Sequence, residues 1–134
     1  MKNAETLRTP SKTYPMKALL LIVHGSRKAS STTEIATLSS TIAAMPSSFE
    51  HVRHSFLELA SPKVGSSINE LASLGCDEIT LMPYFLAEGF HVAEDLPKLL
   101  NEAKVNHPAI QFTLMEHFGA ALKMPQWILE YVSQ

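Results

Sequence analysis

Apolar residues recur along this chain with two different periods, and the switches between them mark out its elements. Leu19-Leu20-Leu21-Ile22-Val23 is an unbroken apolar run closed by His24-Gly25. Such a run, bounded by a turn signal, predicts a strand buried on both faces. Ile35, Leu38, Ile42 and Met45 follow at helical spacing behind Ser30-Ser31-Thr32-Thr33, a set of N-cap candidates, and Pro46 ends the run. Between Phe49 and Leu57 the period shortens, with Val52, His54 and Phe56 alternating against Arg53 and Ser55, which predicts a second strand. Ser61-Pro62 then reads as cap and first residue of a helix carrying Val64, Ile68, Leu71 and Ala72 and stopped by Gly75.

The second half repeats the alternation. Glu78 to Met82 predicts a third strand, Pro83 to Phe90 a loop containing Gly89, and Val92 onward a helix with Leu96, Leu99, Leu100 and Ala103 on one stripe. Pro97 falls near that helix's first turn, where a restart or kink is tolerated. Gln111 to Met115 predicts a fourth strand, and Lys123 to Val132 a last helix carrying Trp127, Ile128 and Tyr131. Met82, Met115 and Met124 read as core. The order β-α-β-α-β-α-β-α implies a three-layer α/β sandwich around a four-stranded parallel sheet of flavodoxin-like type.

That topology has a chemical consequence. In a parallel sheet every strand-to-helix loop lies on one edge, so His24, Glu58 and His91 converge there although 34 and 33 residues separate them in sequence. Two imidazoles and a carboxylate are a plausible three-ligand set for a divalent first-row metal, with positions left open for exchange. Glu58 sits between apolar neighbours in Phe56-Leu57-Glu58-Leu59-Ala60, where capping the next helix is the competing role. His117 shares the edge as a contact for substrate, and Glu88, three residues before His91, is a further carboxylate or base.

Composition narrows the field. With 134 residues, 46% of them hydrophobic, and a net charge of −2, the chain suits one globular domain over 17–134 and offers no basic face for nucleic acid. Residues 1–16 are polar, with Pro10 and Pro15, and read as a flexible extension with neither a signal sequence nor a membrane span; Met16 is a possible alternative start. The lone cysteine, Cys76, fits a small buried residue in a reducing, cytoplasmic setting.

Three segments carry a family resemblance. Val23-His24-Gly25-Ser26-Arg27, Phe56-Leu57-Glu58-Leu59-Ala60-Ser61-Pro62, and Pro83-Tyr84-Phe85-Leu86-Ala87-Glu88-Gly89-Phe90-His91-Val92 followed by Asp95-Leu96-Pro97 resemble the small class II tetrapyrrole chelatases, the sirohydrochlorin cobalt-, nickel- or ferrochelatases. The resemblance implies a chelatase fold and insertion of Co2+, Ni2+ or Fe2+ into sirohydrochlorin, with the metal as substrate and no organic cofactor. It assigns His24, Glu58 and His91 as metal ligands. Arg27, Lys28 and Lys63, with backbone N–H groups around Ser26, are then the candidate contacts for the tetrapyrrole carboxylates, and Glu88, as a base, and His117 are further candidates at the substrate. It further implies a homodimer whose edges face a shared cleft. The segment Phe118-Gly119-Ala120-Ala121 departs from the family pattern, which carries a His-Pro pair after its glycine. Two other readings remain at this level: a carrier of metal or tetrapyrrole without turnover, and an anion-binding domain using Gly25-Ser26 at a helix start.

Overall fold

A computed structural model describes residues 14–134, apart from the side chain of His91. The strands are β1 (Lys17–Val23), β2 (His51–Phe56), β3 (Glu78–Pro83) and β4 (Gln111–Leu114), and the helices α1 (Ala29–Ala43), α2 (Val64–Ser73), α3 (Phe90–Asn106) and α4 (Met124–Val132). The strands form one sheet in the order β2-β1-β3-β4 with every pairing parallel. Among the described residues no helix is long and apolar enough to cross a membrane. Residues 1–13 of the predicted extension lie outside the described residues. Met16 is packed, 8% exposed, with its amide donating to Asp77 Oδ2 at 2.7 Å.

Side-chain alternation divides β1 between two layers. Ala18, Leu20 and Ile22 join Ile79 and Leu81 of β3 against Val64, Ile68 and Leu71 of α2 and Val92, Leu96 and Ala103 of α3, forming the main core. Leu21 lies on the opposite face, in register with His54 and near Val52 and Phe56, where α1 covers β2. α1 contributes Ile35 and Ser39 as buried residues, whereas Met45 is 61% exposed. Cys76 is buried at 4% exposure, as expected for a small core residue.

Four predicted details move. α1 starts at Ala29 with Lys28 as its N-cap residue, so Ser30 to Thr33 lie inside its first turns; the Lys28 carbonyl accepts from the Ser31 and Thr32 amides. Ser61-Pro62 is a cis peptide and does not open α2. The Pro62 carbonyl instead accepts from the Phe56 amide at 2.9 Å and Lys63 bridges to Phe56, so this pair prolongs the sheet edge and leaves Val64 to start the helix. α3 begins at Phe90, which places His91 in a helical first turn and not before it. Met115, predicted as core, is 48% exposed because it stands past the end of β4 on the face opposite α2 and α3.

α4 is the outlier. None of its residues is buried, and Ile128, Leu129, Tyr131 and Val132 are all more than half exposed. The apolar spacing that predicted a helix at this position therefore does not translate into a core face in the isolated chain.

Candidate metal centre

α1 and α3 leave the sheet on opposite faces, from the adjacent strands β1 and β3, so the chain parts at the carboxyl ends of these strands and opens a crevice. His24 is the first residue after β1 and stands at its mouth. Leu57 and Glu58 run on from β2 beside it, held by hydrogen bonds from the Leu57 amide to the Val23 carbonyl (2.9 Å) and from the Glu58 amide to the His24 carbonyl (3.1 Å). Leu59 then takes φ 67°, turning the chain back toward α2.

Gly25 is what lets the two loops meet. Its φ of +119° is a conformation that side-chain-bearing residues rarely adopt, and a Cβ there would collide with the Glu58 carbonyl oxygen and lie 2.8 Å from its carbon. The sequence suggested a turn here; the close approach that makes glycine necessary is visible only in three dimensions.

With the loops joined, His24 Nε2 lies 3.2 Å from Glu58 Oε2, both side chains being more than half exposed. An exposed pair of this kind contributes little to stability, typically below about 1 kcal/mol. The distance has another meaning. Two donors each about 2.1 Å from one ion, at tetrahedral to octahedral angles, stand roughly 3.0 to 3.4 Å apart. The imidazole and carboxylate thus have the spacing of two ligands on one metal and remain open to solvent. Among the described residues no group of three or more His, Cys, Asp or Glu is close enough to hold an ion. His91, the third predicted ligand, occupies the first turn of α3 at the same edge, and its side chain lies outside the described residues.

A cleft of about 500 Å³ opens from this pair, walled by His24, Leu57 and Glu58 on one side and by Val92, Asp95, Lys98, Leu99 and Glu102 of α3 on the other. The Phe85 ring, just after β3, stands edge-on to the His24 imidazole with centroids 6.5 Å apart. Asp95, Lys98 and Glu102 were missed as cleft residues by the sequence reading. Residues 95, 98 and 102 stand at helical spacing (i, i+3, i+7), but the wall that they face is visible only in three dimensions.

The other predicted contacts divide. Ser26 Oγ accepts from the Lys28 amide at 3.1 Å, fixing the start of α1, while Arg27, Lys28, Lys63 and Glu88 are exposed on loops or helix starts of this edge and do not line the cleft. His117 is placed elsewhere, in a neighbouring groove of about 540 Å³ with Met82, Met115, Phe118, Leu122 and Trp127. On β2, His51 and His54 both titrate below their ordinary range. Partial burial is the main cause, with the Arg53 charge adding for His51.

Against known proteins, the CbiX family model matches residues 18–134. The chain belongs to the CbiX family. Among its relatives is a protein of Methanopyrus kandleri named sirohydrochlorin cobaltochelatase, 36% identical over 85 residues, which are 63% of this chain and 59% of that one. A protein of the same name from Sulfurisphaera tokodaii is 28% identical over 119 residues, 89% of this chain and 93% of the relative. In structure, this CbiX-family chain matches the CbiX protein of Marinobacter aquaeolei with a TM-score of 0.73 at 23% identity, over 87% of this chain and 94% of that one. It matches the cobalt complex of the sirohydrochlorin chelatase SirB from Bacillus subtilis with a TM-score of 0.71 at 22% identity, over 88% of this chain and 50% of SirB. The CbiX-family chain therefore spans about half of that longer chelatase, and at these identities the likeness establishes a shared α/β fold.

Proposed function

We propose that this chain is a sirohydrochlorin chelatase that inserts a divalent metal, cobalt in its named relatives, into the tetrapyrrole, with His24, Glu58 and His91 as the metal ligands. The observation that carries the reading is the 3.2 Å spacing of His24 Nε2 and Glu58 Oε2 at the mouth of a cleft. The CbiX family match and relatives named sirohydrochlorin cobaltochelatase support the substrate assignment.

The chemistry asks for a site that gives its metal away. Insertion exchanges one divalent ion for two pyrrole protons, so the site must deliver the ion and accept protons. Nitrogen and oxygen donors suit a borderline ion without the retention of a thiolate cage, and their solvent exposure leaves positions for ring nitrogens to take over. Glu58 and the histidines are the bases within reach for the displaced protons. The ring's carboxylates have Lys98 inside the cleft and Arg27, Lys28 and Lys63 on the same edge, beside the turn at Ser26 that opens α1.

We extend the reading to a cytoplasmic homodimer. The lone, buried Cys76 is compatible with a reducing compartment, and the exposed apolar residues of α4 are surface that a partner would remove from water. Gel filtration that yields only monomer at working concentration would rule the dimer out.

Anaerobic visible spectra of sirohydrochlorin with Co2+, Ni2+ or Fe2+ test the activity. The protein accelerates insertion over buffer, and His24→Ala and His91→Ala each reduce the rate by about a hundredfold or more, the upper range for losing a positioned metal or proton-transfer group. Tetrapyrrole or metal binding without acceleration would make the chain a carrier instead.

A further inference from the structure

The loop from β3 to α3 begins at Tyr84 and reaches α3 through its N-cap residue, Gly89. Its start is tied to the sheet, where the Tyr84 amide donates to the Ile22 carbonyl at 2.7 Å. Farther along, the segment after β4 takes over. The Gly119 amide donates to the Phe85 carbonyl at 2.8 Å, and the Gly119 Cα is seated directly on the Leu86 backbone. A Cβ at 119 would overlap the Leu86 carbonyl oxygen and stand 2.5 Å from its carbon and 2.9 Å from its Cα. All three are backbone atoms, so no side-chain rotation could relieve the overlap. Only movement of one loop away from the other would.

The contact is reinforced on either side. Phe118 stacks on Trp127 of α4 with centroids 5.6 Å apart and an interplanar angle of 19°, and it also meets the Tyr84 ring at 5.9 Å. Phe85, whose carbonyl receives the Gly119 hydrogen bond, meets the His24 ring. The loop after β3 is thus gripped from the β4 side at the two residues that lead from His24 toward the start of α3.

We infer that Gly119 is a positioning residue for the metal centre: by letting the β4–α4 segment lie flush on Phe85 and Leu86, it fixes where α3 starts and hence where His91 is presented. The inference rests on the proposed metal-ligand role of His91. It gives the segment Phe118-Gly119-Ala120-Ala121, which departs from the family pattern, a function that needs no polar side chain.

Cobalt titration of the whole chain, followed by its visible absorption, tests it. Gly119→Ala weakens Co2+ binding about tenfold or more, the range seen when outer supports of metal ligands are lost, and shifts the spectrum toward that of His91→Ala. In a His91→Ala background the same substitution changes affinity by less than about twofold, because coupled residues are not additive. Gly65→Ala is the control: nothing lies within 4 Å of a Cβ at Gly65, and that substitution leaves affinity and spectrum unchanged. Wild-type affinity in a folded Gly119→Ala would overturn the inference, as would an equal loss with and without His91. Should Gly119→Ala not fold, Phe118→Leu removes the two ring contacts without adding an atom. It should weaken Co2+ by about threefold, and unchanged affinity there would overturn the inference too. If His24→Ala and His91→Ala both bind Co2+ like the wild type, the metal-site reading itself falls, and the clamp's role with it.

Discussion

Gly25→Ala is the substitution with the sharpest expected cost at the residue scale. It forces a side chain into a φ of +119° and onto the Glu58 carbonyl, so equilibrium urea unfolding should show a loss of about 2 to 3 kcal/mol, the range for one strained residue held against its surroundings. Co2+ affinity should fall as well, since relief of the clash moves Glu58 from His24. At this scale the sequence was partly legible. His24, Glu58 and His91 were candidate ligands by their places after strands or before a helix, and the structure sets the first two 3.2 Å apart. Lys98 and Asp95 were not identified as cleft residues, because a charged residue on a helix reads as solvated until the facing wall is known. His117, expected at this edge as a substrate contact, lines the groove beside Trp127, whereas the His24 cleft is walled by α3.

At the scale of elements, β1 and α3 carry the design. Leu20 is fully buried at the centre of β1, and Leu20→Ala should destabilise the chain by about 3 kcal/mol through lost burial and the cavity left behind, measured by the same unfolding titration. Lys98 is the cation of the α3 wall. Lys98→Ala should raise KM for the carboxylate-bearing tetrapyrrole about tenfold, as expected for one lost charge-assisted contact, with kcat changed much less; a fall in kcat at unchanged KM would assign Lys98 a different role. Strand and helix order was readable from periodicity alone, since period-two and 3.6-residue patterns are imposed by local geometry. Helix starts were less so. Ser61-Pro62 satisfies every local rule for opening α2, yet a sheet-edge hydrogen bond from Phe56 to the Pro62 carbonyl claims the pair first.

For the whole molecule, stability should depend on pH through β2. His51 and His54 are held below 6.5 in the folded chain by burial, and they return to about 6.5 on unfolding. Below that value the unfolded state binds protons that the folded state refuses, so stability is full above about pH 7.5 and falls as pH drops through 6.5 toward the lowered native values. Urea midpoints at pH 7.5 and 5.5 check this: the His51→Gln, His54→Gln double variant should lose less between them than the wild type, and an equal loss would remove these histidines as the cause. The sequence by itself determined the alternating elements, a parallel sheet and the gathering of strand-end residues on one edge, because periodicity and right-handed crossover act locally and leave few topologies. Tertiary structure alone decided which neighbours on that edge touch. The Gly25–Glu58 and Gly119–Leu86 approaches, the α3 wall of the cleft and the uncovered face of α4 depend on how far loops and helices stand apart, a distance between segments remote in sequence that no local pattern encodes.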